Sequence, residues 1–471
     1  IVSRDWSSDV CSSDLDETIK SNIAVSNGGT TINSNGNEHN TDININGTLY
    51  YRFTSHFKTS FRTYVTNYIS KQDLLTISGA PYNDLLNHLF KRIENQTDWA
   101  ISKKLNGIFG IGAVWEGVKS SRYDNENQRK ENTIQYGFTQ WEWTPYDKLI
   151  IVGGIRFDKN ATYASASSPK ISLLYKINQH QKIRVSIGQG FKAPDFRQLY
   201  LDFTNAAAGN YSVFGSAQAQ KVISQLNNLG QIGTLYNNYY LLKDLQPEAS
   251  TGIHFSWEWT PHPKTFFSAQ FFRNDIRNLI EVQQVGTYIS GAQIFSYLNI
   301  GSAFTQGAEF ELNQKINNEW SLSGGYQYLI TGDKDQIAEI KAGKVYTRNA
   351  NNVSARLTMS DYVGLPNVSK HKAQLKLNYA NPIGFFANAR IIYRSKWAVN
   401  NTNGNDVYDN GDDFAAGYYS LHIVLGKEYQ NGIAVQLGCD NVNNYVDAIH
   451  LPNLAGRTFF INFKYQIQHQ H

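Results

Sequence analysis

The sequence predicts an all-β protein, a transmembrane antiparallel β-barrel, and three observations lead to this fold class. Apolar and polar residues alternate with period two over segments of about ten residues, a length that suits a tilted strand crossing a bilayer. The connections between these segments alternate between short turns and long loops. Aromatic residues make up 13% of the chain, with 29 Tyr and 9 Trp, which suits the aromatic girdles of a barrel.

The alternation is clearest between residues 147 and 191. One face of the segment at 181–191 carries Ile183, Val185 and Ile187, and the opposite face carries Arg184 and Ser186. A soluble sandwich shows the same alternation with shorter strands. We therefore expect one face to contact lipid and the other to face a polar lumen.

The same pattern, together with turn residues, predicts roughly seventeen strands. In chain order they are 46–56, 58–69, 95–106, 107–118, 132–145, 147–158, 169–178, 181–191, 247–259, 263–283, 294–315, 319–331, 367–380, 383–395, 417–428, 431–440 and 456–467.

Short connections occur at 104–107, 145–147, 178–181, 260–263, 317–318, 381–382 and 430–432. Longer ones occur at 70–94, 119–131, 159–168, 192–246, 284–293, 332–366, 396–416 and 441–455. Bacterial outer-membrane barrels have short turns on one rim and long loops on the other. A soluble sandwich has no reason to follow this alternation, which therefore favours the barrel.

Composition and hydropathy further restrict the class of protein. The net charge is +4, and no Lys/Arg block suggests a nucleic-acid partner. The sequence contains no run of eighteen apolar residues and therefore predicts no transmembrane helix. The pentapeptide WEWTP occurs at 141–145 and at 257–261, each time at a strand end before a short turn. We interpret these Trp pairs as part of a girdle at the short-turn rim.

Several segments carry a family resemblance. Residues 190–200 (GFKAPDFRQLY) resemble a segment of the barrel of TonB-dependent outer-membrane receptors, and 154–158 (GIRFD) resembles the strand end before it. Residues 245–250 (LQPEAS), 274–280 (NDIRNLI), 440–445 (DNVNNY) and 456–460 (GRTFF) resemble later motifs of that family in the same order. Together they span most of the chain.

The resemblance implies an outer-membrane receptor that imports a scarce, bulky solute, such as a ferric siderophore or cobalamin. It also implies about 22 strands, a plug domain ahead of the barrel, and a segment that contacts the TonB energy-coupling protein. Roughly seventeen strands fall short of that number, so we expect an incomplete barrel with the plug absent. Its partners would be the outer-membrane bilayer, TonB through the missing N-terminal region, and a small-molecule or metal-chelate ligand.

The beginning of the chain differs from the rest. Residues 1–15 (IVSRDWSSDVCSSDL) share no pattern with the later segments and resemble translated sequencing-adapter read-through, the alternative being a genuine disordered segment. Residues 16–45 predict a polar segment with part of a strand. We assign 46–471 to the barrel portion, with 192–246 as its largest extracellular loop.

The loop at 192–246 is the predicted ligand-contact region, because exposed aromatic rings can stack on planar or macrocyclic ligands. The alternative is a loop that packs on itself over the barrel mouth, with a short helix at 216–228. Haem receptors that resemble this family carry a His between the F-[RK]-A-P motif and the next strand, and none lies between Phe191 and Glu248. That absence argues against haem. The candidate ligand contacts are Tyr211, Phe214, Tyr236, Tyr239 and Tyr240.

Two charged sets are further candidates. The strand register places six cations on the lumen face, where they would contact plug carboxylates, the solute path or only water: Arg156, Arg184, Lys376, Arg390, Arg394 and Lys464. Four carboxylates around a glycine turn suit a structural Ca²⁺, with a solvated acidic turn as the alternative: Asp406, Asp409, Asp412 and Asp413. No other cofactor is expected.

No catalytic motif is present, and we predict no enzyme activity. The main hypothesis is a TonB-dependent importer. The alternative is a passive outer-membrane pore or adhesin without a plug. An outer-membrane enzyme would need a nucleophile, a base and an orienting group near one rim.

Overall fold

The computed structural model describes residues 6–24, 31–75, 81–123, 128–205, 211–348, 353–402, 405, 407–451 and 454–465. Its helices are α1 (Phe196–Tyr200), α2 (Ser216–Asn228), α3 (Asn237–Tyr240) and α4 (Lys334–Lys341). Its strands are β1 (Trp6–Ala24), β2 (Thr31–Arg52), β3 (Phe57–Leu75), β4 (Pro81–Ser102), β5 (Leu105–Lys119), β6 (Lys130–Tyr146), β7 (Leu149–Asn160), β8 (Ala166–Lys176), β9 (Gln181–Lys192), β10 (Asp202–Asn205), β11 (Tyr211–Phe214), β12 (Ile232–Leu235), β13 (Glu248–His262), β14 (Thr265–Arg277), β15 (Ile280–Tyr288), β16 (Gln293–Asn299), β17 (Ser302–Lys315), β18 (Trp320–Asp333), β19 (Tyr346–Arg348), β20 (Ser354–Arg356), β21 (His371–Ala380), β22 (Phe385–Arg394), β23 (Trp397–Asn400), β24 (Asp413–Ala415), β25 (Tyr418–Glu428), β26 (Ile433–Asp440) and β27 (Thr458–Tyr465).

Eighteen of these strands form one large antiparallel sheet. The order follows the chain from β1 to β9, and then runs through β13, β14, β17, β18, β21, β22, β25, β26 and β27. Within the described residues, β1 pairs with β2 and β27 pairs with β26. The predicted fold class, an antiparallel barrel sheet, is therefore confirmed.

The roughly seventeen predicted strands correspond to the members of this sheet from β2 to β27. Two of the predicted strands were too long, because 263–283 and 294–315 are each broken into two. The breaks lie beside Asn278 and Gly301, whose φ angles are 56° and 62°. These left-handed residues turn the chain out of the large sheet and back into it. The outer halves, β15 and β16, belong to a second sheet.

Strand structure also begins earlier than the sequence indicated. β1 and β2 cover most of residues 6–52, whereas we expected an adapter-derived segment at 1–15, a polar segment with part of a strand at 16–45 and a strand only from residue 46. The amino-acid sequence of this stretch is rich in Asn, Ser and Thr and alternates weakly, yet antiparallel pairing still satisfies the backbone. Residues 6–15 lie in β1, and residues 1–5 lie outside the described residues. The suggested adapter origin of residues 1–15 stays a prediction.

The outward face of the sheet is apolar and exposed. At the short-turn rim it carries tryptophans that include Trp99, Trp143, Trp259 and Trp320, which are 37–50% exposed. No helix in the described part of the chain is long and apolar enough to cross a membrane. The opposite face of the sheet, which we call the lumen face, carries many of the charged side chains, such as Arg62, Glu94 and Arg156.

A folded cap stands over the long-loop rim. Its sheet has the order β10-β11-β16-β15-β12, and α1, α2 and α3 pack beside it. The predicted helix at 216–228 is confirmed as α2. Its inner face buries Ala219 and Ile223 completely against Val285 and Ile294, which are also 0% exposed. The segment 192–246 therefore packs together with β15 and β16 around a shared core.

The cap is joined to the large sheet through the start of β13. The carboxylate of Glu248, which is 8% exposed, accepts hydrogen bonds from Lys192 Nζ and from the backbone N–H of Ile280, both at 3.1 Å. A second small core, formed by Leu199, Leu245 and Tyr297, lies at the same junction. This arrangement connects β9, β13 and β15 and orients the cap on the rim.

On the lumen face, polar side chains link four strands across a glycine. Tyr136 Oη donates to Glu94 Oε2 at 2.7 Å, and Arg62 donates to the other oxygen at 3.0 Å. To reach β4 from β6, the Tyr136 ring crosses β5 directly over Gly112, where any Cβ would overlap it. The lumen wall therefore depends on the absence of a side chain at this position.

A first prediction concerns the cap core. Ile223→Ala should destabilise the cap by about 2–5 kcal/mol, because it leaves a cavity at a fully buried site. Hydrogen exchange and limited proteolysis of residues 211–246 should accelerate, while unboiled gel migration still reports a folded barrel. Leu229→Ala, at a 71% exposed position just after α2, is the matched control. Equal protection in both variants would contradict the packed cap.

A second prediction concerns Gly112. Gly112→Ala should destabilise the barrel by about 1–3 kcal/mol, because the new methyl displaces the Tyr136 ring from Glu94. Gly153→Ala is the control, since nothing lies within 4 Å of a Cβ placed there. The temperature at which each variant loses its folded gel mobility measures the effect. A Gly112→Ala midpoint no lower than that of Gly153→Ala would refute the proposed crossing.

Candidate functional site

The segment that resembles a family motif, 190–200, carries the chain from β9 into the cap. The Asp195 carboxylate accepts from the Gln198 N–H at 2.7 Å, and Gln198 Oε1 accepts from the Asp195 N–H at 3.0 Å. This capping box starts α1 directly after Pro194. The motif thus ends the barrel strand with a fixed turn and places Phe196 and Tyr200 at the mouth.

The five candidate ligand contacts do not form one surface. Phe214 is 3% exposed and belongs to the cap core, so its assignment as a ligand contact is corrected: no free face of its ring remains. Tyr211 packs edge-on against Phe203 and Phe295 in the cap sheet. Core packing was the alternative interpretation of this loop, and it accounts for both residues.

The other three candidates lie around α3. Tyr239 packs against the cap core, and its hydroxyl is 3.0 Å from Ser224 Oγ. Tyr236 and Tyr240 are 39% and 72% exposed. A stacking role stays a prediction for these two exposed rings.

A cleft of about 180 Å³ lies beneath α1, at the inner edge of the mouth. Its lining includes Glu116, Tyr163 and Tyr200. Burial raises the pKa of both tyrosines, so both present neutral hydroxyls to the cleft. The carboxylate of Glu116 is 2.7 Å from Nε2 of His88. Sequence reasoning missed this cleft because its walls come from β5, β6, a loop and α1.

The six predicted lumen cations all lie on the face opposite the exposed apolar side chains. Two of them are bonded to nearby groups. Arg156 makes a bidentate pair with Asp158 and lies 3.7 Å from the Tyr136 ring. Arg394 donates to Ser369 Oγ at 2.6 Å and to the Asn367 carbonyl at 3.1 Å.

The side chains of the remaining cations make no hydrogen bond or ion pair with other described residues: Arg184, Lys376, Arg390 and Lys464. Lys376 stands directly opposite Arg390 in the register of β21 and β22, and Lys372 stands opposite Arg394. Lys372, four residues before Lys376 on the same face, was missed by sequence reasoning although the period-two pattern already placed it there.

The predicted calcium ligands lie in a loop that uses their oxygens internally. Asp409, 1% exposed, accepts from the Gly411 N–H at 2.7 Å, and Asp412 accepts from the N–H groups of Asp409 and Thr402 at 2.8 Å. Asp413 accepts from Asn400 Nδ2 at 3.2 Å. In the described ranges no group of three or more His, Cys, Asp or Glu could hold a metal ion. Asp406 lies outside the described residues, and the calcium site stays a prediction.

One hydroxyl–imidazole–carboxylate chain lies on the lumen face near the long-loop rim. His422 Nε2 is 3.0 Å from Ser420 Oγ, and His422 Nδ1 is 2.7 Å from Asp440 Oδ1. A hydrolytic triad exposes the serine and buries the carboxylate. Here the solvent exposure of the two groups is reversed, because Ser420 is 6% exposed whereas the Asp440 side chain is 50% exposed. We interpret the chain as a bond between β25 and β26.

Three carboxylates approach one another where the cap meets the rim. Burial raises the pKa of Glu281 in β15, and the nearby Asp333 and Glu248 raise it further. A raised pKa in the folded state means that the folded cap binds this proton more tightly than the unfolded chain does. The stabilisation is full at acidic pH and is lost as the pH rises through the raised pKa.

Glu281→Gln should therefore make the cap more stable at neutral pH, with little effect below about pH 4. Hydrogen exchange of β15 measured across this range checks the expectation. Glu339→Gln, at an exposed carboxylate of α4, is the control. A β15 exchange rate that changes equally in both variants would contradict the assignment.

Comparison with known proteins agrees with this architecture. The family described as TonB dependent receptor-like, beta-barrel matches residues 5–442. The iron-regulated outer membrane virulence protein of Vibrio cholerae is 24% identical over 235 residues, which cover 48% of this chain and 32% of that protein. The vitamin B12 transporter BtuB of Vibrio cholerae is 28% identical over 129 residues, covering 26% of this chain and 20% of the transporter.

The siderophore receptor PirA from Acinetobacter baumannii has a similar structure, with a TM-score of 0.62 and 14% identity over 97% of this chain and 71% of PirA. The chain spans about a third or less of the length of the two Vibrio cholerae relatives. The barrel sheet, the long-loop rim and the family match agree, and they place the protein in the outer membrane. The chain belongs to the TonB-dependent receptor family and forms its β-barrel domain.

Proposed function

We propose that the receptor containing this chain imports a scarce, bulky solute across the outer membrane, using energy delivered by TonB. The observation that carries the proposal is a barrel sheet of the TonB-dependent family whose long-loop rim supports a folded cap. A general diffusion pore has no need of a packed unit over its mouth. A capture receptor needs one, because its ligand must be bound before it is moved.

The geometry supports two ligand-contact regions, one on the cap and one in the cleft beneath α1. The cap presents exposed Tyr236 and Tyr240 outward, while the cleft beneath α1 presents Tyr163 and Tyr200 at the mouth. Aromatic rings with polar edges suit large, partly planar ligands. Energy coupling then shifts a binding and gating equilibrium, and no covalent chemistry is required.

The solute class is a ferric siderophore or a cobalamin-like molecule. The printed names describe one relative as an iron-regulated outer membrane protein and another as a vitamin B12 transporter. The partners we propose are TonB, through a segment outside this chain, the outer-membrane bilayer and a metal-chelate or other small ligand. Since no His lies between Phe191 and Glu248, we favour these solutes over haem.

The test combines the complete gene with an uptake measurement. Deleting the gene should abolish cellular accumulation of one radiolabelled ferric siderophore or of labelled cobalamin, and the complete gene should restore it. A protonophore should stop accumulation but leave surface binding intact, because only the coupled step needs energy. Uptake that continues without energy would instead indicate a passive pore. Loss of surface attachment with normal uptake would indicate an adhesin.

The DNA sequence upstream of the codon for Ile1 provides an independent check. A plug domain with a coupling segment would support the importer. A leader sequence that runs directly into barrel strands would contradict it.

A further inference from the structure

Two grooves lie one above the other on the outward face of the large sheet, between β4 and β7. The upper groove, nearer the long-loop rim, has a volume of about 340 Å³, and the lower groove has a volume of about 440 Å³. Trp115 lines the upper groove and Ile111 lines the lower one, and these β5 residues are 41% and 70% exposed. They are four residues apart, which is about 13 Å along a strand. The two grooves are therefore aligned along the same strands.

The upper groove contains two cations. Lys91 is exposed and stands opposite Trp115 in the register of β4 and β5. Arg129, just before β6, donates to the Gly117 carbonyl at 3.2 Å and to Asn87 Oδ1 at 3.0 Å. A Cβ at Gly117 would lie 2.9 Å from Arg129 Cδ, so the glycine makes room for the arginine. The two neutral acceptors orient the guanidinium and leave it charged.

The height of Lys91 on the barrel places the upper groove at a membrane boundary. Trp99, at the short-turn rim, lies eight residues from Lys91 on β4. Eight residues span about 26 Å along a strand, or about 20 Å along the barrel axis at a tilt of about 40°. The apolar band of an outer-membrane barrel is about 25 Å tall. Lys91 is therefore close to the outer edge of this band, at the level of the lipid headgroups.

The lower groove is largely apolar and has a glycine at its centre. Gly137 stands opposite Ile111 on one side and Phe157 on the other. Phe157, like Ile111, is an exposed apolar side chain. The nearest atoms to a Cβ placed at Gly137 are the Gly110 carbonyl oxygen at 3.7 Å and Ile111 Cγ2 at 3.8 Å. The glycine therefore leaves a depression between two apolar side chains, which fits a hydrocarbon chain.

From the two cations at the headgroup level and the apolar groove below them, we propose that this wall binds a phosphorylated lipid of the outer leaflet. Its phosphate accepts hydrogen bonds from Lys91 and Arg129. One acyl chain lies in the lower groove over Gly137. Glu131, which stands opposite Gly117 and also lines the upper groove, accepts hydrogen bonds from headgroup hydroxyls. A free phosphate would fill only the upper groove, whereas a lipid fills both.

The test uses the complete receptor purified in detergent and a disaccharide lipid that carries two phosphates. The same lipid without its phosphates is the comparison. Native mass spectrometry measures the fraction of receptor that retains each lipid as its concentration rises. We expect the phosphorylated lipid to bind at least about tenfold more tightly at low salt, with the difference shrinking as salt screens the charges.

The variant K91Q/R129Q removes both cations. Its affinity for the phosphorylated lipid should fall by about tenfold or more, while its affinity for the dephosphorylated lipid is unchanged. K91Q alone keeps the Arg129 contacts and should lower the affinity by about fivefold. K71Q is the matched control, because Lys71 is an exposed cation of the same face, six residues beyond the Val65 that stands opposite Lys91. Unboiled gel migration checks the folding of each variant.

The variant G137L tests the lower groove. The new side chain occupies the space of the acyl chain, so affinity for both lipids should fall by about tenfold. G153L is the control, because Gly153 stands opposite the exposed Ile171 on the same face and nothing lies within 4 Å of a Cβ placed there.

Four outcomes would overturn the inference. Equal affinity of the wild type for both lipids, or an unchanged affinity of K91Q/R129Q for the phosphorylated lipid, would show that the cations do not bind a headgroup. Unchanged binding in G137L would exclude the lower groove. Displacement of the lipid by an equal concentration of inorganic phosphate would indicate a site for a free anion. A receptor dimer that K91Q/R129Q separates would indicate a contact between two copies. Lipid retention is measured without uptake, so this inference and the import proposal fail separately.

Discussion

The structure depends on backbone hydrogen bonds between neighbouring strands. A strand that crosses lipid has no water to satisfy its N–H and C=O groups, so each must find its partner in the next strand. Within the described residues, the antiparallel register gives every strand of the large sheet between β1 and β27 two partners, in strands of widely different composition. It also explains why the polar β1 and β2 are strands although their alternation is weak.

This backbone constraint leaves the side chains free to divide between two solvents. The outward face carries exposed apolar and aromatic residues, whereas the lumen face carries charges and hydrogen-bonding groups. Where a lumen side chain must cross a strand, the wall makes room by omitting a side chain, as Gly112 does beneath Tyr136. A ladder such as Arg62–Glu94–Tyr136 then ties strands together within a polar surface.

Different interactions stabilise the cap. It lies outside the large sheet, and its own five-stranded sheet and helices enclose a hydrophobic core around Ile223, Val285 and Ile294. Its attachment to the barrel combines the hydrogen bond from the Ile280 N–H to Glu248 with the small apolar core of Leu199, Leu245 and Tyr297. Two residues with positive φ, Asn278 and Gly301, take the chain out of the barrel and return it. A rigid wall and a separately packed cap suit a receptor that must capture a ligand before it gates.

The sequence by itself determined the barrel, the position of α2 and the faces on which Arg184 and Lys376 lie, because period-two patterning and turn residues are local properties of the chain. The predicted long loop at 70–94 was wrong, because most of it lies in β3 and β4. The motifs in order also indicated the family. Only the tertiary structure decided that Phe214 is buried, that 263–283 and 294–315 are each divided, and that Lys376 stands opposite Arg390. These features depend on which distant segments meet. Burial and cross-strand register are pairwise properties, and no local pattern encodes them.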